Sequence, residues 1–344
     1  MIPFLFFIKF LGPESFAMFD HKSGIIATKE SLYAFAFTTD TETFTIKSLR
    51  THCGYHFSDI ASVQKHNKFY LFNRTDNLVY KLNYPESKNP KNIHFMMNFE
   101  LERASSFRVN SEQSLLAFPA EQTRVVILSS LDKKEREYSS FELPGNEILA
   151  DFRFLKNSRI MSLSECGALR LYSIERRRCE MNLKIHVLGL LSSNFGKNGL
   201  FAKNGSDQLI CGLMSICDQE RTLVVATEHS DLKRAHQLAV FGLDQENSPE
   251  LSFRYVVDTG LSSLAGSRLT GIFMDYFIGD FPILFAFPEI DPQVMQVYIF
   301  YARKGKKICT LDTLHLGKVM DVRMADYHVV SICDGGVFNA LQVV

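Results

Sequence analysis

Residues 148–185 read ILADFRFLKNSRIMSLSECGALRLYSIERRRCEMNLKI, and the fold turns on how this stretch divides. It holds four apolar or alternating runs, Ile148 to Phe154, Arg159 to Leu163, Leu169 to Ser173 and Cys179 to Ile185, separated by Asn, Ser, Gly and charged residues. Runs of about 5 to 8 residues with period-two alternation and turn residues between them predict strands rather than helices. Four strands on short turns form an antiparallel meander.

Upstream the same unit recurs three times. Phe16 to Phe19, Gly24 to Thr28, Leu32 to Phe37 and Thr43 to Ser48 form one set; Ile60 to Gln64, Lys68 to Asn73, Leu78 to Asn83 and Ile93 to Phe99 form the next. Ser105 to Val109, Ser114 to Phe118, Arg124 to Ser129 and Tyr138 to Leu143 make the third. Steps of about 44 residues lie in the range of four-stranded propeller blades. Downstream the sets lengthen: Leu209 to Ile216, Thr222 to Thr227, Gln237 to Phe241 and Leu251 to Val257, then Leu269 to Tyr276, Phe281 to Phe287, Val294 to Tyr301 and Ile308 to Asp312. A Gly/Asn-rich insertion is expected over 186–208. The last set has only three strands, Val319 to Met324, His328 to Cys333 and Val337 to Val343.

An incomplete last set and an apolar N-terminal run, Ile2 to Phe10, answer each other. A propeller leaves no open sheet edge at its closure, so residues 1–11 are expected to supply the outer strand of the last set, with Pro3 tolerated on an outermost strand. The expected fold is therefore all-β, a β-propeller of seven four-stranded blades in one domain over 1–344. Thirty Phe and 12 Tyr, with no Trp, suit pleated, half-buried sheet surfaces.

Two segments carry a family resemblance. His315-Leu316-Gly317-Lys318-Val319-Met320-Asp321-Val322, followed by Ser331-Ile332-Cys333-Asp334-Gly335-Gly336-Val337-Phe338, resembles a WD40 repeat, in which a turn histidine precedes the inner strand and a Ser/Asp-Gly pair marks the second turn. Ser162 to Leu169 superposes on Ser331 to Phe338 without a gap and places Gly167 and Gly336 at one turn position where a positive φ is expected. No Trp-Asp dipeptide occurs, so the chain is similar to a divergent WD40-like propeller. The resemblance implies a structural turn network of His315, Asp321 and Ser331, and a non-enzymatic scaffold within a larger assembly. It implies a second class too, a WD40-like exchange factor for a small GTPase in vesicle-coat formation.

Composition limits the remaining classes. Lys+Arg and Asp+Glu both total 38, so no global field gathers a polyanion. Seven cysteines, several within apolar runs, read as reduced thiols of a cytoplasmic or nuclear protein. The N-terminal run lacks a basic leader and is broken by Lys9, and no uncharged apolar run reaches about 18 residues. Nucleophile-elbow, P-loop, dinucleotide-fingerprint and zincin motifs are absent from the sequence, and His52-Cys53-Gly54-Tyr55-His56 with His66 lacks a second half for a zinc site. No enzyme activity and no cofactor are expected.

Charge placement offers the candidate site. Turns between third and fourth strands carry Lys88 and Lys91, Lys133, Lys134 and Arg136, Arg176, Arg177 and Arg178, and Arg303, Lys304, Lys306 and Lys307, all expected on one rim. Turns between second and third strands carry Glu30, Asp76, Glu121, Glu165, Glu228, Asp231, Glu289, Asp291 and Asp334, on the other. Ordinary solvated turn charge is the plain alternative. The sharper expectation is a basic sector, led by Lys133, Lys134, Arg176, Arg177, Arg178, Arg303, Lys304, Lys306 and Lys307, that docks an acidic partner surface or structured RNA.

Overall fold

A computed structural model describes residues 5–9, 13–18, 23–28, 31–38, 43–50, 57–63, 68–73, 78–83, 93–98, 107–110, 115–120, 122–128, 138–155, 158–184, 209–217, 221–229, 235–244, 250–262, 268–277, 281–291, 294–301, 306–313, 319–325, 328–333 and 337–342. The expected insertion at 186–208 lies outside them.

The chain enters with β1 (Leu5–Lys9). Then come β2 (Pro13–Met18), β3 (Ser23–Thr28), β4 (Leu32–Thr38) and β5 (Thr43–Arg50), followed by β6 (Phe57–Val63), β7 (Lys68–Asn73), β8 (Leu78–Asn83) and β9 (Ile93–Asn98). The third group is β10 (Arg108–Asn110), β11 (Leu115–Ala120), β12 (Arg124–Leu128) and β13 (Tyr138–Glu142). After a short 3-10 turn at Pro144–Asn146 come β14 (Leu149–Leu155), β15 (Arg159–Ser164), β16 (Ala168–Ser173) and β17 (Arg178–Lys184). The next two groups are β18 (Leu209–Cys217), β19 (Thr222–His229), β20 (Ala235–Asp244) and β21 (Glu250–Ser262), then β22 (Arg268–Phe277), β23 (Phe281–Asp291), β24 (Val294–Tyr301) and β25 (Lys306–Thr313). Last are β26 (Val319–Ala325), β27 (His328–Cys333) and β28 (Val337–Gln342).

These strands form seven four-stranded sheets, six in plain sequence order and one ordered β1-β28-β27-β26. In that sheet β1 runs antiparallel to β28, Leu5 opposite Leu341 and Lys9 opposite Val337. All-β architecture follows the residue pattern closely, and β7, β8, β24 and β27 keep the boundaries their patterns predict. Glu228, Glu289 and Asp291, expected in turns, instead lie within β19 and β23, because both strands run further than their apolar cores.

The chain divides into two compact units, one of 1–140, 277–279 and 313–344, the other of 141–276 and 280–312. In the first unit, β2 packs beside both β6 and β26, and β6 beside β10. Its cores are layered between sheets: Ala17, Ile25 and Ala27 meet Ile60, Leu71 and Tyr80, while Tyr70, Phe72 and Val79 meet Phe107, Leu116 and Phe118. Each such Leu or Phe fully removed from water contributes about 1.5 to 3 kcal/mol. In the second unit, β14 packs beside β18, with Met161, Leu163, Leu169 and Leu171 against Leu223, Val225 and Phe241. Val224, Leu238 and Val240 then meet Ile272, Met274 and Phe300 of the β22–β25 sheet.

One irregularity repeats. β2, β6, β14 and β26 each shift register near their start, just before Ser15, Asp59, Asp151 and Asp321, and β18 shifts between Ile210 and Leu213. A bulge there bends the strand and raises its local twist. Gly24 shows how tight the packing is, since a Cβ on it would sit 2.5 Å from the Ala17 carbonyl and 2.6 Å from the Phe35 ring.

Candidate interaction surface

The basic cluster is most completely described at the turn between β16 and β17. Ile174, Glu175, Arg176 and Arg177 form the turn, Arg178 opens β17, and residues 175–178 are all exposed. The turn is fastened rather than loose. The Ile174 amide donates to the Ser158 carbonyl at 2.8 Å, and the Arg176 amide to Ser173 Oγ at 3.1 Å. Ser158 Oγ donates to Glu175 Oε1 at 3.0 Å. Arg177 takes φ +50°, a left-handed turn conformation that few non-glycine residues adopt.

Electrostatics around the turn are only partly compensated. Glu180 accepts from Arg159 Nε at 2.9 Å and from Arg176 at 3.3 Å, with its own side chain 6% exposed. Four guanidinium groups, Arg159, Arg176, Arg177 and Arg178, stand against the carboxylates of Glu175 and Glu180. Among the described residues, no ion pair engages Arg177 or Arg178, so positive charge is left over there.

Neighbouring sheets of the same unit extend this rim. The turn after β18 lies beside the end of β20, because the Leu243 amide donates to the Arg221 carbonyl at 2.6 Å. First-to-second and third-to-fourth turns therefore share an edge of each sheet, and exposed Arg221 joins the basic set, a contribution that a scan of third-to-fourth turns alone misses. Lys306 and Lys307 are exposed too, as the first residues of β25 rather than in a turn. Lys133, Lys134, Arg303 and Lys304 lie outside the described residues. On the opposite edge of the β14–β17 sheet, Glu165 is exposed at a turn completed by Gly167 with φ +81°, the positive φ expected there.

A second polar cluster, partly buried, lies at the opposite edge of the sheet, beside the Glu165–Gly167 turn. Arg170, on β16, donates to Glu147 through NH1 at 2.6 Å and NH2 at 2.8 Å, with its own side chain 4% exposed. The guanidinium bonds hold the Glu147 carboxyl below the usual carboxylate range, and the same bonds raise Arg170. Ser164 Oγ accepts from the Ala168 amide at 3.0 Å and lies 3.2 Å from Cys166 Sγ. Tyr172 stacks on Phe141 at 3.9 Å, and burial pushes its hydroxyl up to about 12. Burial likewise raises the thiols of Cys179 and Cys309, which keeps them protonated and poorly nucleophilic. This cluster locks a sheet to the loop before it, and its carboxylate is already engaged by two guanidinium bonds. Neither Glu147 nor Arg170 stood out in the sequence, where the signal was one charge inside the apolar run Leu169-Arg170-Leu171.

Of the turn network implied by the WD40 resemblance, Ser331 is 1% exposed on β27 and paired with Val322 and Asn339. Asp321 sits on β26 opposite Ile332, and His315 lies outside the described residues, as do His52, Cys53, His56 and His66. Among the described residues no group of three His, Cys, Asp or Glu is placed to hold a metal ion, and no helix is long and apolar enough to cross a membrane.

Against solved structures, the chain is similar to the β-propeller domain of Cps50 (Swd1) from Myceliophteria thermophila, with a TM-score of 0.68 over 98% of each chain at 9% identity. The chain has a β-propeller fold. At such low identity the likeness speaks for fold alone. No family model and no curated protein matches the sequence. The exposed turn at 174–178 lies at the rim of its sheet, away from the buried core.

Proposed function

We propose that this propeller is a non-enzymatic protein-interaction platform, a subunit of a larger assembly, which docks an acidic partner surface on its basic rim. The observation that carries this reading is the Arg176-Arg177-Arg178 turn, fixed by Ser158, Ser173 and Glu180 yet left with excess positive charge in solvent. A preorganised cationic turn loses little conformational entropy on binding, and its charge steers encounter. Recovery of partners from the native cell, compared between the wild type and Arg176→Glu/Arg177→Glu/Arg178→Glu, tests it. Loss of the assembly in the variant and a steep salt dependence in the wild type are expected. Unchanged recovery removes the rim from the interface. Recovery of RNA, or of one GTPase whose nucleotide release is accelerated, replaces the acidic protein surface with another partner class.

The platform rests on a closed ring of seven blades over 1–344, with β1 as the last blade's outer strand and His315, Asp321 and Ser331 as a structural turn network. Deleting residues 1–11 is expected to bare the β28 edge and cause aggregation, whereas equal solubility and melting temperature overturn the closure.

A further inference from the structure

We propose, building on the platform reading, that β25 is a strand-addition site for an extended peptide that sets an acidic side chain against Lys306 and, two residues away, an aliphatic one against Ile308. β25 ends the sheet order β22-β23-β24-β25, so its outer backbone edge has no strand beside it among the described residues. At its start Lys306, Lys307, Ile308 and Thr310 are exposed and Cys309 is half-buried. Ile308 is 50% exposed, the higher of two large hydrophobics exposed among the described residues.

Other edges of the same unit are less open. β17 carries a register shift beside Tyr172, where Glu180 is drawn onto Arg159 and Arg176, and such a bulge twists an edge away from pairing. β21 is shifted twice against β20, and its Val257 and Thr259 are buried. β25 instead sets the exposed cation Lys306 two residues from the exposed apolar Ile308.

Edge lysines ordinarily deter strand pairing, because an incoming neutral or basic edge must desolvate and face them. A carboxylate-bearing strand reverses that sign. Opposite-charge and apolar cross-strand pairs each contribute about 0.2 to 1 kcal/mol, so an acid facing Lys306 and an aliphatic residue two positions away facing Ile308 add to the main-chain bonds. No exposed aromatic lies between Lys306 and Thr310 to stack a base, which favours a peptide over a single-stranded nucleic acid.

The test pans phage-displayed random decapeptides on the wild-type chain, with counter-selection on folded Lys306→Glu/Lys307→Glu/Ile308→Asp. Enriched peptides are expected to carry Asp or Glu two positions from Val, Ile or Leu and to protect the amides of 306–313 from hydrogen exchange. They are expected to bind the variant about tenfold more weakly, and to lose a similar factor when alternate peptide amides are N-methylated. Absence of enrichment, equal binding to the variant, indifference to N-methylation, or oligo-uridylate binding that the variant abolishes each overturns the proposal. The platform reading fails separately. If the β25 variant recovers native partners while the Arg176–Arg178 variant loses them, strand addition falls and the platform stands; if the wild type recovers no partner, the platform falls.

Discussion

The β6–β9 and β14–β17 sheets share one register and fill it with opposite chemistry. In the first, Ile60 faces Leu71 and Leu71 faces Tyr80; in the second, Phe152 faces Ser162 and Ser162 faces Arg170. All six positions are buried. The apolar trio packs against Ala17, Ile25 and Ala27 of the preceding sheet, so burial itself supplies the attraction. Arg170 instead reaches Glu147 in the loop before its own sheet. What the blade position demands is a filled, satisfied site, not a particular polarity, and a buried ion pair meets that demand only while both partners remain.

Exchanging the chemistries should break them unequally. Leu71→Ser places the fourth sheet's residue in the second, where it opens a cavity and strands a hydroxyl among Ile60, Tyr80 and Ile25; a loss of about 4 kcal/mol is expected in denaturant unfolding. Glu147→Ala leaves the Arg170 charge buried and unpaired and should cost about 3 kcal/mol, with the double change Glu147→Ala/Arg170→Tyr regaining part of it by adopting the Tyr80 solution. A double variant no more stable than the single one would show that the two sheets are not interchangeable at this position.

Acid sharpens the contrast at smaller amplitude. The Arg170 bonds depress the Glu147 carboxyl in the folded chain, so its stabilisation is complete above the unfolded carboxylate value of 4.5 and drains away as pH falls through the folded one. Glu147→Gln should flatten the fall in melting temperature below that value, and an unchanged profile would place the acid sensitivity elsewhere. The smallest effect belongs to Ser162→Ala. Ser162 Oγ and Arg170 Nε make no protein hydrogen bond among the described residues, so deleting the hydroxyl should alter stability by less than about 1 kcal/mol.

This contrast shows which features were legible in the sequence. Strand existence was, because period-two alternation and turn residues act locally, and Gly167 announced its turn for the same reason. The bulges were half visible: Ser15-Phe16-Ala17, Asp59-Ile60-Ala61, Asp151-Phe152-Arg153 and Asp321-Val322-Arg323 repeat a triplet at the register shift, yet only pairing reveals the extra residue. The Glu147–Arg170 pair was hidden, since it joins residues 23 apart in sequence through a loop geometry that no local pattern encodes. At the rim, charge could be read but not its compensation. Arg176 looks like its two neighbours until Glu180 is seen beside it.

The pairing of Leu5 with Leu341 also sets a clock. Ribosomes add about 5 to 20 residues each second, so β1 waits roughly twenty seconds to a minute before β28 exists to receive it. Through that interval Leu5-Phe6-Phe7-Ile8 is an apolar segment without its partner strand. Slow translation of the last sheet therefore lengthens the exposure of a strand at the opposite end of the chain.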